Sequence, residues 1–190
     1  LTPDKFRTVP CPTYPEIRLS VLPKKGVKDF LEKHDYDSIH IATEGPLGIA
    51  TRNYAVKNKL KFTTAFHTKF PDYIKARTGL PISISYKFLR WFHKHSEAVL
   101  APTASIIDEL KSYRISNTVY WPRGVETEVF TPFSNRKRNK EPIYLYVGRI
   151  AVEKNIEAFL IIKLPGQKIV VGTGPLLSKL KTAYPDTIFL

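Results

Sequence analysis

Two cationic side chains, Arg149 and Lys154, follow a short apolar run and a glycine. The run Ile143–Val147 predicts a strand, Gly148 a tight turn, and the residues from Lys154 onward a helix. Such a turn lets a ligand phosphate approach backbone N–H groups at the positive end of a helix dipole. The arginine adds fixed donors for phosphate oxygens, and the lysine adds a mobile charge. On spacing alone, the alternative is a tight turn with solvated cations.

A second pair of glycines, Gly172 and Gly174, repeats this plan a little further on. Residues 168–171 predict a strand, the glycines a turn, and Pro175 the first residue of a helix. Two strand–glycine–helix units in succession are typical of a nucleotide-binding α/β domain. The spacing matches neither the Gly-x-Gly-x-x-Gly fingerprint nor a Walker loop.

His67 comes directly after another predicted strand, at residues 61–66. In open α/β sheets, ligands lie at the carboxyl ends of the strands. An imidazole at that edge can donate a hydrogen bond to a sugar hydroxyl or a phosphate. The alternative is a histidine that simply fills a turn.

Glu44 opens the segment Glu-Gly-Pro-Leu-Gly, which contains Gly45 and Gly48 and follows a predicted strand at residues 38–43. The carboxyl group and the backbone amides of this segment can contact a polar ligand at the same sheet edge. The alternative is a helix start with Pro46 in the first turn.

Alternating strands and helices must position these residues, and the alternation predicts a parallel sheet in the first part of the chain. Further strands are predicted at residues 16–21, 98–101 and 118–121, and helices at residues 23–34, from the turn at 44–48 to about residue 59, and at 104–113. Thr103 is a good N-cap for the last of these helices, whose inner face carries Ile106, Ile107 and Leu110. Residues 69–79 predict a loop or a broken helix.

Residues 82–95 combine aromatic and basic side chains at helical spacing. The predicted apolar face carries Phe88, Trp91 and Phe92, and the basic residues interleaved with them are Lys87, Arg90, His93, Lys94 and His95. One interpretation is a helix packed on the core with a solvated cationic side. The other is peripheral contact with anionic lipid.

Composition narrows the classes of protein. The chain has 190 residues and a formal net charge of +13, which favours polyanionic or phosphorylated ligands. No apolar run is long enough to span a bilayer, and no signal peptide opens the chain. The single cysteine, Cys11, fits a reducing compartment, and no Cys/His cluster has metal-ligand spacing. The absence of methionine and a final strand at residues 187–190 predict an internal fragment of a longer protein.

In order along the chain, these motifs resemble glycosyltransferase family 4, the retaining enzymes of GT-B fold. The resemblance covers nearly the whole chain, and its nearest subgroup is the glycolipid-forming and mannosyl-type enzymes. The motifs that carry it are Glu-Gly-Pro-Leu-Gly at 44–48, Phe-His-Thr at 66–68, Ala-Pro-Thr at 101–103, Pro-Arg-Gly-Val-Glu-Thr-Glu-Val-Phe at 122–130, Tyr-Val-Gly-Arg-Ile-Ala-Val-Glu-Lys-Asn at 146–155 and Val-Gly-Thr-Gly-Pro at 171–175.

The resemblance implies two Rossmann-like domains, both incomplete in this chain. They are expected at residues 1–130, on the acceptor side, and 142–190, on the donor side, with a linker at 131–141. Across the cleft that this fold implies, the donor diphosphate contacts Arg149 and Lys154, and the transferred sugar lies near His67, the catalytic residue. The resemblance also places three glycines, Gly148, Gly172 and Gly174, in the donor pocket, and Glu44, Gly45, Gly48 and Gly124 in the acceptor site or cleft.

The expected reaction moves a hexose from a nucleotide-sugar to a hydroxyl group of a lipid or glycan acceptor. It proceeds with retention and needs neither cofactor nor metal, and nucleic acid is not an expected partner. The expected location is cytoplasmic, with peripheral contact to the inner face of an anionic membrane. Two alternatives remain: a nucleotide- or polyanion-binding protein without transfer activity, and a membrane-surface module.

Two substitutions and two missing segments depart from the family pattern. Glu126 stands where the family usually has Asp, and Thr173 replaces a frequent acidic residue between the two glycines. A glycine-rich loop expected near the start of the first domain and a later Glu-x7-Glu segment are not in this sequence. The fragment alone is therefore expected to be inactive.

Overall fold

The computed structural model describes residues 1–12, 14–132 and 140–190. Within these residues, the chain forms two compact units, each with its own parallel sheet. The first unit comprises Leu1–Pro71 and Pro81–Gly124, and the second comprises Asp72–Leu80 and Val125–Leu190. Among the described residues, no helix is long and apolar enough to cross a membrane.

The domain boundaries expected from the sequence, 1–130 and 142–190, remain a prediction. Most of the expected linker at 131–141 lies outside the described residues, because residues 133–139 are not among them.

The elements of the first part of the chain follow the predicted alternation of strand and helix. The strands are β1 (Thr8–Cys11), β2 (Tyr14–Ser20), β3 (His40–Ile41), β4 (Thr63–Ala65), β5 (Ala98–Ala101) and β6 (Thr118–Tyr120). The helices are α1 (Lys24–Glu32), α2 (Pro46–Lys57), α3 (Phe70–Thr78), α4 (Ile82–His93) and α5 (Ala104–Ser112).

The sheet of the first unit is parallel, with the strand order β3-β4-β5-β6. Its inner face packs on helices α4 and α5 through a cluster that includes Leu89, Val99 and Leu110, all with no exposed surface. The predicted N-cap of α5 is present, because the Thr103 hydroxyl accepts a hydrogen bond from the Ile106 N–H at 3.3 Å. The predicted α/β class with a parallel sheet is confirmed.

The first predicted strand does not join that sheet. Strand β2 pairs antiparallel with β1, a strand that the sequence analysis missed, and the two form a separate ribbon. The prolines of this region concealed β1. Pro10 is tolerated because a two-stranded ribbon leaves one edge of each strand unpaired. The Arg18 side chain ties the ribbon by donating to the Thr8 hydroxyl and carbonyl, each at 3.1 Å.

Helix α3 corrects a second expectation, since residues 69–79 were expected to form a loop or a broken helix. Its second residue is Pro71, which is tolerated in the first turn of a helix. Lys75 and Arg77 lie in its last turn, where cations complement the helix dipole.

Helix α4 is amphipathic as predicted, but its buried face differs from the predicted one. The buried residues are Ser85, Tyr86, Leu89, Phe92 and His93. Trp91, expected on the buried face, is 41% exposed, and the Arg52 guanidinium carbon lies 4.2 Å from its ring centroid. Arg52 also donates to the carbonyl groups of Trp91, at 2.9 Å, and Phe92, at 3.4 Å. These bonds satisfy carbonyl groups at the C-terminal end of α4.

The second unit contains a parallel sheet with the strand order β7-β8-β9. Its elements are β7 (Ile143–Val147), a 3-10 turn (Val152–Lys154), α6 (Ile156–Ile161), β8 (Gln167–Val171), α7 (Leu177–Ala183) and β9 (Ile188–Phe189). The core on one face of this sheet includes Ile150, Ile156, Val170 and Leu180. Helix α7 begins at Leu177, two residues later than the sequence predicted, after a loop that includes Pro175.

Candidate functional site

Arg149 and Lys154 lie on the short segment between β7 and α6. The Tyr146 hydroxyl donates a hydrogen bond to the Arg149 carbonyl at 2.9 Å, and the Tyr146 ring lies 6.0 Å from the ring of Phe159 in the core. Burial raises the pKa of Tyr146, and the nearby charge of Lys154 opposes that rise. The tyrosine hydroxyl therefore anchors the backbone of the arginine.

Backbone amides of the glycine turns are already engaged, which corrects one expectation. The Gly148 N–H donates to the Val171 carbonyl at 3.0 Å, and the Gly172 N–H donates to the Leu190 carbonyl at 3.2 Å. These two groups are therefore not the bare donors that the sequence analysis expected for a phosphate. Helix α6 has six residues, so its dipole is small. The positive charge at this loop comes mainly from Arg149 and Lys154.

Gly172 and Gly174 let the two loops of the second unit pack backbone on backbone. A Cβ atom at Gly172 would lie 2.0 Å from the Gly148 carbonyl oxygen, and one at Gly174 would lie 2.2 Å from the Ile150 carbonyl oxygen. Gly172 also has φ of +145°, where side chains are strained. The Ile150 N–H donates to the Thr173 carbonyl at 2.9 Å, which locks the same contact.

An ion pair supports the turn that carries Lys154. Within the second unit, Arg77 Nη2 lies 3.0 Å from Glu153 Oε2, and the two side chains are 15% and 3% exposed. Asn155 then takes a left-handed conformation, with φ of 47°, and α6 begins at the next residue. The backbone around Lys154 is thus fixed on both sides.

His67 follows β4 in the first unit and lies half-buried beside Trp121. The centroid of its ring is 5.7 Å from that of Trp121, and its carbonyl group accepts a hydrogen bond from Arg123 Nη2 at 3.3 Å. The pKa of His67 is lowered by burial first, and then by the charges of Arg123 and His40. The imidazole is therefore neutral near pH 7 and can both donate and accept a hydrogen bond.

The Glu44–Gly48 segment joins β3 to α2. Gly45 is the N-cap of α2 in an extended conformation, and Pro46 is its first residue. Gly48 is buried, and a Cβ atom there would lie 1.9 Å from the Thr43 carbonyl oxygen. Gly48 therefore contributes close packing of the helix on the loop, while the side chain of Glu44 supplies the polar chemistry of the segment.

Glu44 faces a fully buried histidine. Its Oε1 lies 3.7 Å from His93 Nε2, and Nε2 is a buried atom with no hydrogen-bond partner among the described residues. Burial raises the pKa of Glu44 to about 7, against an opposing hydrogen bond with its own backbone, and burial lowers the pKa of His93 to about 4. Between these values both groups are neutral, so the contact is not an ion pair.

Gly124 is exposed at the end of the first unit, and a Cβ atom there would meet nothing within 4 Å. Among residues 1–12, 14–132 and 140–190, no group of three or more His, Cys, Asp or Glu side chains is placed to hold a metal ion. A reaction that needs no metal remains a prediction.

Each unit holds its own set of the site residues predicted from the sequence. The Tyr146 hydroxyl binds the Arg149 carbonyl, and the loop that carries Arg149 packs against the glycines after β8. The contacts of three residues, Tyr146, Trp121 and His93, were not predicted from the sequence. The signal for Trp121 was its position after β6, at the sheet edge that also carries His67. The burial of His93 had no such signal, because basic residues surround it in the sequence.

Comparison with known proteins identifies relatives of this chain. The model of glycosyltransferase family 4 matches residues 2–129. The chain is 28% identical over 193 residues to a GDP-mannose-dependent alpha-mannosyltransferase of Corynebacterium glutamicum, covering 96% of this chain and 46% of that protein. It is also 28% identical over 199 residues to a sulfoquinovosyl transferase of Arabidopsis thaliana, covering 94% of this chain and 39% of that protein.

A third relative and a solved structure agree with these matches. Alpha-monoglucosyldiacylglycerol synthase of Streptococcus pneumoniae is 26% identical over 177 residues, covering 80% of this chain and 40% of that protein. Sucrose-phosphate synthase from Thermosynechococcus elongatus matches with a TM-score of 0.70 at 17% identity, over 88% of this chain and 48% of that one. The chain thus spans about half the length, or less, of the proteins it matches.

Proposed function

Because the chain belongs to glycosyltransferase family 4, we propose that the whole protein transfers a sugar from a nucleotide-sugar donor to a hydroxyl group of a lipid or glycan, with retention. The family and its GT-B fold confirm the resemblance found in the sequence. The observation that carries the proposal is the placement of Arg149 and Lys154 on one segment after β7, whose backbone is fixed by the Tyr146 hydroxyl and by contacts with the next turn.

In this proposal, the two cations bind the donor diphosphate. Negative charge grows on the departing diphosphate as the sugar leaves, and positive groups fixed in advance stabilise that charge without reorganising. The engaged amides of Gly148 and Gly172 shift this task toward the side chains. Arg149 offers paired donors and Lys154 a point charge, so the two are not interchangeable.

His67 is proposed to contact the transferred sugar. Its lowered pKa keeps the imidazole neutral, so it can accept from one sugar hydroxyl and donate to another. Trp121, beside it, offers an apolar ring face of the kind that packs on sugar C–H groups. Glu44 and its segment are proposed to contact the acceptor.

The relatives suggest which donors and acceptors to test first. Three of the matched proteins, at 26–28% identity, are named as GDP-mannose-dependent alpha-mannosyltransferases, and another is named as an alpha-monoglucosyldiacylglycerol synthase. We propose GDP-mannose as the first donor and a diacylglycerol-based lipid as the first acceptor for assay.

The test is sugar transfer by the full-length protein and three variants. Lys154→Ala and Arg149→Ala should each lower kcat/KM for the nucleotide-sugar by about 100-fold, the usual effect of losing one such stabilising group. Lys163→Ala removes an exposed cation of the same unit and serves as the matched control. Wild-type turnover by Lys154→Ala would remove the assignment. Donor binding without transfer by the unaltered protein would favour a nucleotide-binding module instead.

A second function, docking on an anionic membrane, is favoured by the exposed face of α4. Ile84 and Trp91 are 51% and 41% exposed, and the exposed Lys87 and Lys94 continue the same stripe at helical spacing. An aromatic ring among cations suits the interface of a bilayer with anionic lipid. Sedimentation with vesicles should show binding to anionic but not to neutral lipid, and weaker binding by Lys87→Glu/Lys94→Glu. Equal sedimentation with neutral vesicles would contradict this function.

A further inference from the structure

One pattern of hydrogen bonds around His93 places the proton of its neutral ring on Nδ1. The Ser96 hydroxyl donates to the His93 carbonyl at 2.8 Å, and its oxygen accepts from the Thr64 hydroxyl at 3.3 Å and from Asn117 Nδ2 at 3.1 Å. When the Thr64 proton goes to Ser96, or to the Ala98 carbonyl at 3.5 Å, the Thr64 oxygen accepts from His93 Nδ1 at 2.8 Å. In this pattern the ring presents a bare lone pair on Nε2.

That lone pair needs a donor, and the group facing it is the carboxyl group of Glu44. A buried acceptor without a partner costs free energy, and a carboxylate opposite a lone pair would add repulsion. A protonated carboxyl group donates a hydrogen bond to the lone pair and carries no negative charge that would repel it. The 3.7 Å separation between Oε1 and Nε2 closes to a hydrogen bond with a movement of less than about 1 Å.

The charged neighbours leave this pair undisturbed. Arg52, on the adjoining helix α2, is bound to the Trp91 and Phe92 carbonyl groups and to Asn53. Lys94 and His95, which follow His93, are exposed. Burial is the main cause of the pKa shifts of both Glu44 and His93.

We propose that Glu44 and His93 share one proton, carried on the carboxyl group, and that His93 is a positioning residue that holds Glu44 at the sheet edge for a hydroxyl group of the acceptor. The second part of this proposal rests on the proposed function. With its proton directed at Nε2, the neutral carboxyl group still accepts through its carbonyl oxygen, so it can bind the proton of an acceptor hydroxyl group.

The first experiment locates the proton by NMR, so its result does not depend on sugar transfer. In the full-length protein labelled with ¹⁵N-histidine and ¹³C-glutamate, NMR should show His93 as a neutral Nδ1–H ring from pH 5 to 7. The Glu44 carboxyl carbon should titrate well above the usual range of glutamate. An Nε2–H ring, or ordinary titration of Glu44, would overturn the shared proton. Glu44→Gln and His93→Asn assign the two signals.

The second experiment tests positioning through sugar transfer. His93→Asn keeps a donor for Thr64 but removes the Nε2 acceptor, whereas His93→Gln restores an acceptor near the Nε2 position. We expect His93→Asn to raise the acceptor KM about 10-fold with the donor KM unchanged, and His93→Gln to recover most of that loss. His95→Asn, at an exposed position, is the control and should change neither constant.

The outcomes separate the two proposals. If the two His93 variants behave alike, or if donor and acceptor KM change together, His93 has only a structural role and positioning is overturned. If the unaltered protein transfers no sugar, the proposed function and the acceptor role of Glu44 fail together. The NMR result then still decides the shared proton.

Discussion

Replacing either member of the Glu44–His93 pair should make the stability of the first unit depend on pH, in opposite directions. Both groups are largely buried, with side chains 19% and 0% exposed, and their pKa values move apart from the ordinary ones. The pKa of Glu44 is raised from 4.5 to about 7, and that of His93 is lowered from 6.5 to about 4.

In the unaltered protein, the pH dependence of stability that Glu44 causes and the one that His93 causes nearly cancel between pH 4.5 and 6.5. The unfolded chain there carries its proton on His93, and the folded chain carries it on Glu44. Both states bind one proton, so the pair adds no slope to the free energy of unfolding in this window. For each group, the change from its ordinary pKa to its pKa in the folded chain corresponds to about 3 kcal/mol of unfolding free energy. The opposite pH dependences of the two groups conceal this amount in the unaltered protein.

Each single variant should show the pH dependence of stability that the remaining group causes. His93→Asn leaves Glu44 with a raised pKa, so stability is greatest below pH 4.5 and falls by about 3 kcal/mol as the pH rises through about 7. Glu44→Gln leaves His93 with a lowered pKa, so stability is greatest above pH 6.5 and falls by about 3 kcal/mol as the pH drops through about 4. The double variant should be as flat as the unaltered protein.

Urea unfolding at several pH values, followed by tryptophan fluorescence, measures these slopes. The two tryptophans of the chain, Trp91 and Trp121, both lie in the first unit, so this signal reports the unit that holds the pair. The quantity to compare is the difference in unfolding free energy between variant and unaltered protein at each pH. Subtraction removes the contributions of other titrating groups.

A constant difference across the pH range would refute the reasoning, however large that difference is. Lost packing lowers stability equally at every pH, whereas a proton that moves between two groups produces slopes of opposite sign. Slopes of the same sign in both single variants would equally contradict a neutral pair.

Three other predictions concern the scaffold. Gly172→Ala should sharply lower the thermal midpoint of the second unit, because its Cβ would lie 2.0 Å from the Gly148 carbonyl oxygen; an unchanged midpoint would contradict the packing role. Thr103→Ala should cost about 1 kcal/mol in urea unfolding through loss of the α5 cap, and no change would show that the cap contributes nothing. Arg77→Met should cost about 3 kcal/mol, because it leaves Glu153 buried without this ion pair, and Glu153→Gln in that background should recover part of the loss.

The sequence predicted structure best where a local pattern of residues decides it and the same residues suit a ligand. The run Ile143–Val147 and the turn at Gly148 were predicted at their observed positions, because an apolar run bounded by glycine has few alternatives. Thr103 was identified as a cap for the same local reason. The ordered motifs then indicated the family, which no single loop could do.

Contacts between segments that are distant in sequence could not be predicted from local sequence pattern. His93 lies among basic residues, and only the packing of β4 and α4 shows that its ring is buried against Thr64. Trp91 was expected inside, but the stacked guanidinium of Arg52 lets an aromatic ring remain at the surface. Strand β1 was concealed by its prolines, which a two-stranded ribbon accepts and a central strand would not.

The contact between the glycine turns of the second unit also has a mechanical consequence. The Gly148 carbonyl oxygen sits where any side chain at Gly172 would be, and the Ile150 amide is bonded to the neighbouring turn. The two turns must therefore move as one rigid piece. A displacement of the backbone at Arg149 is transmitted directly to the end of β8.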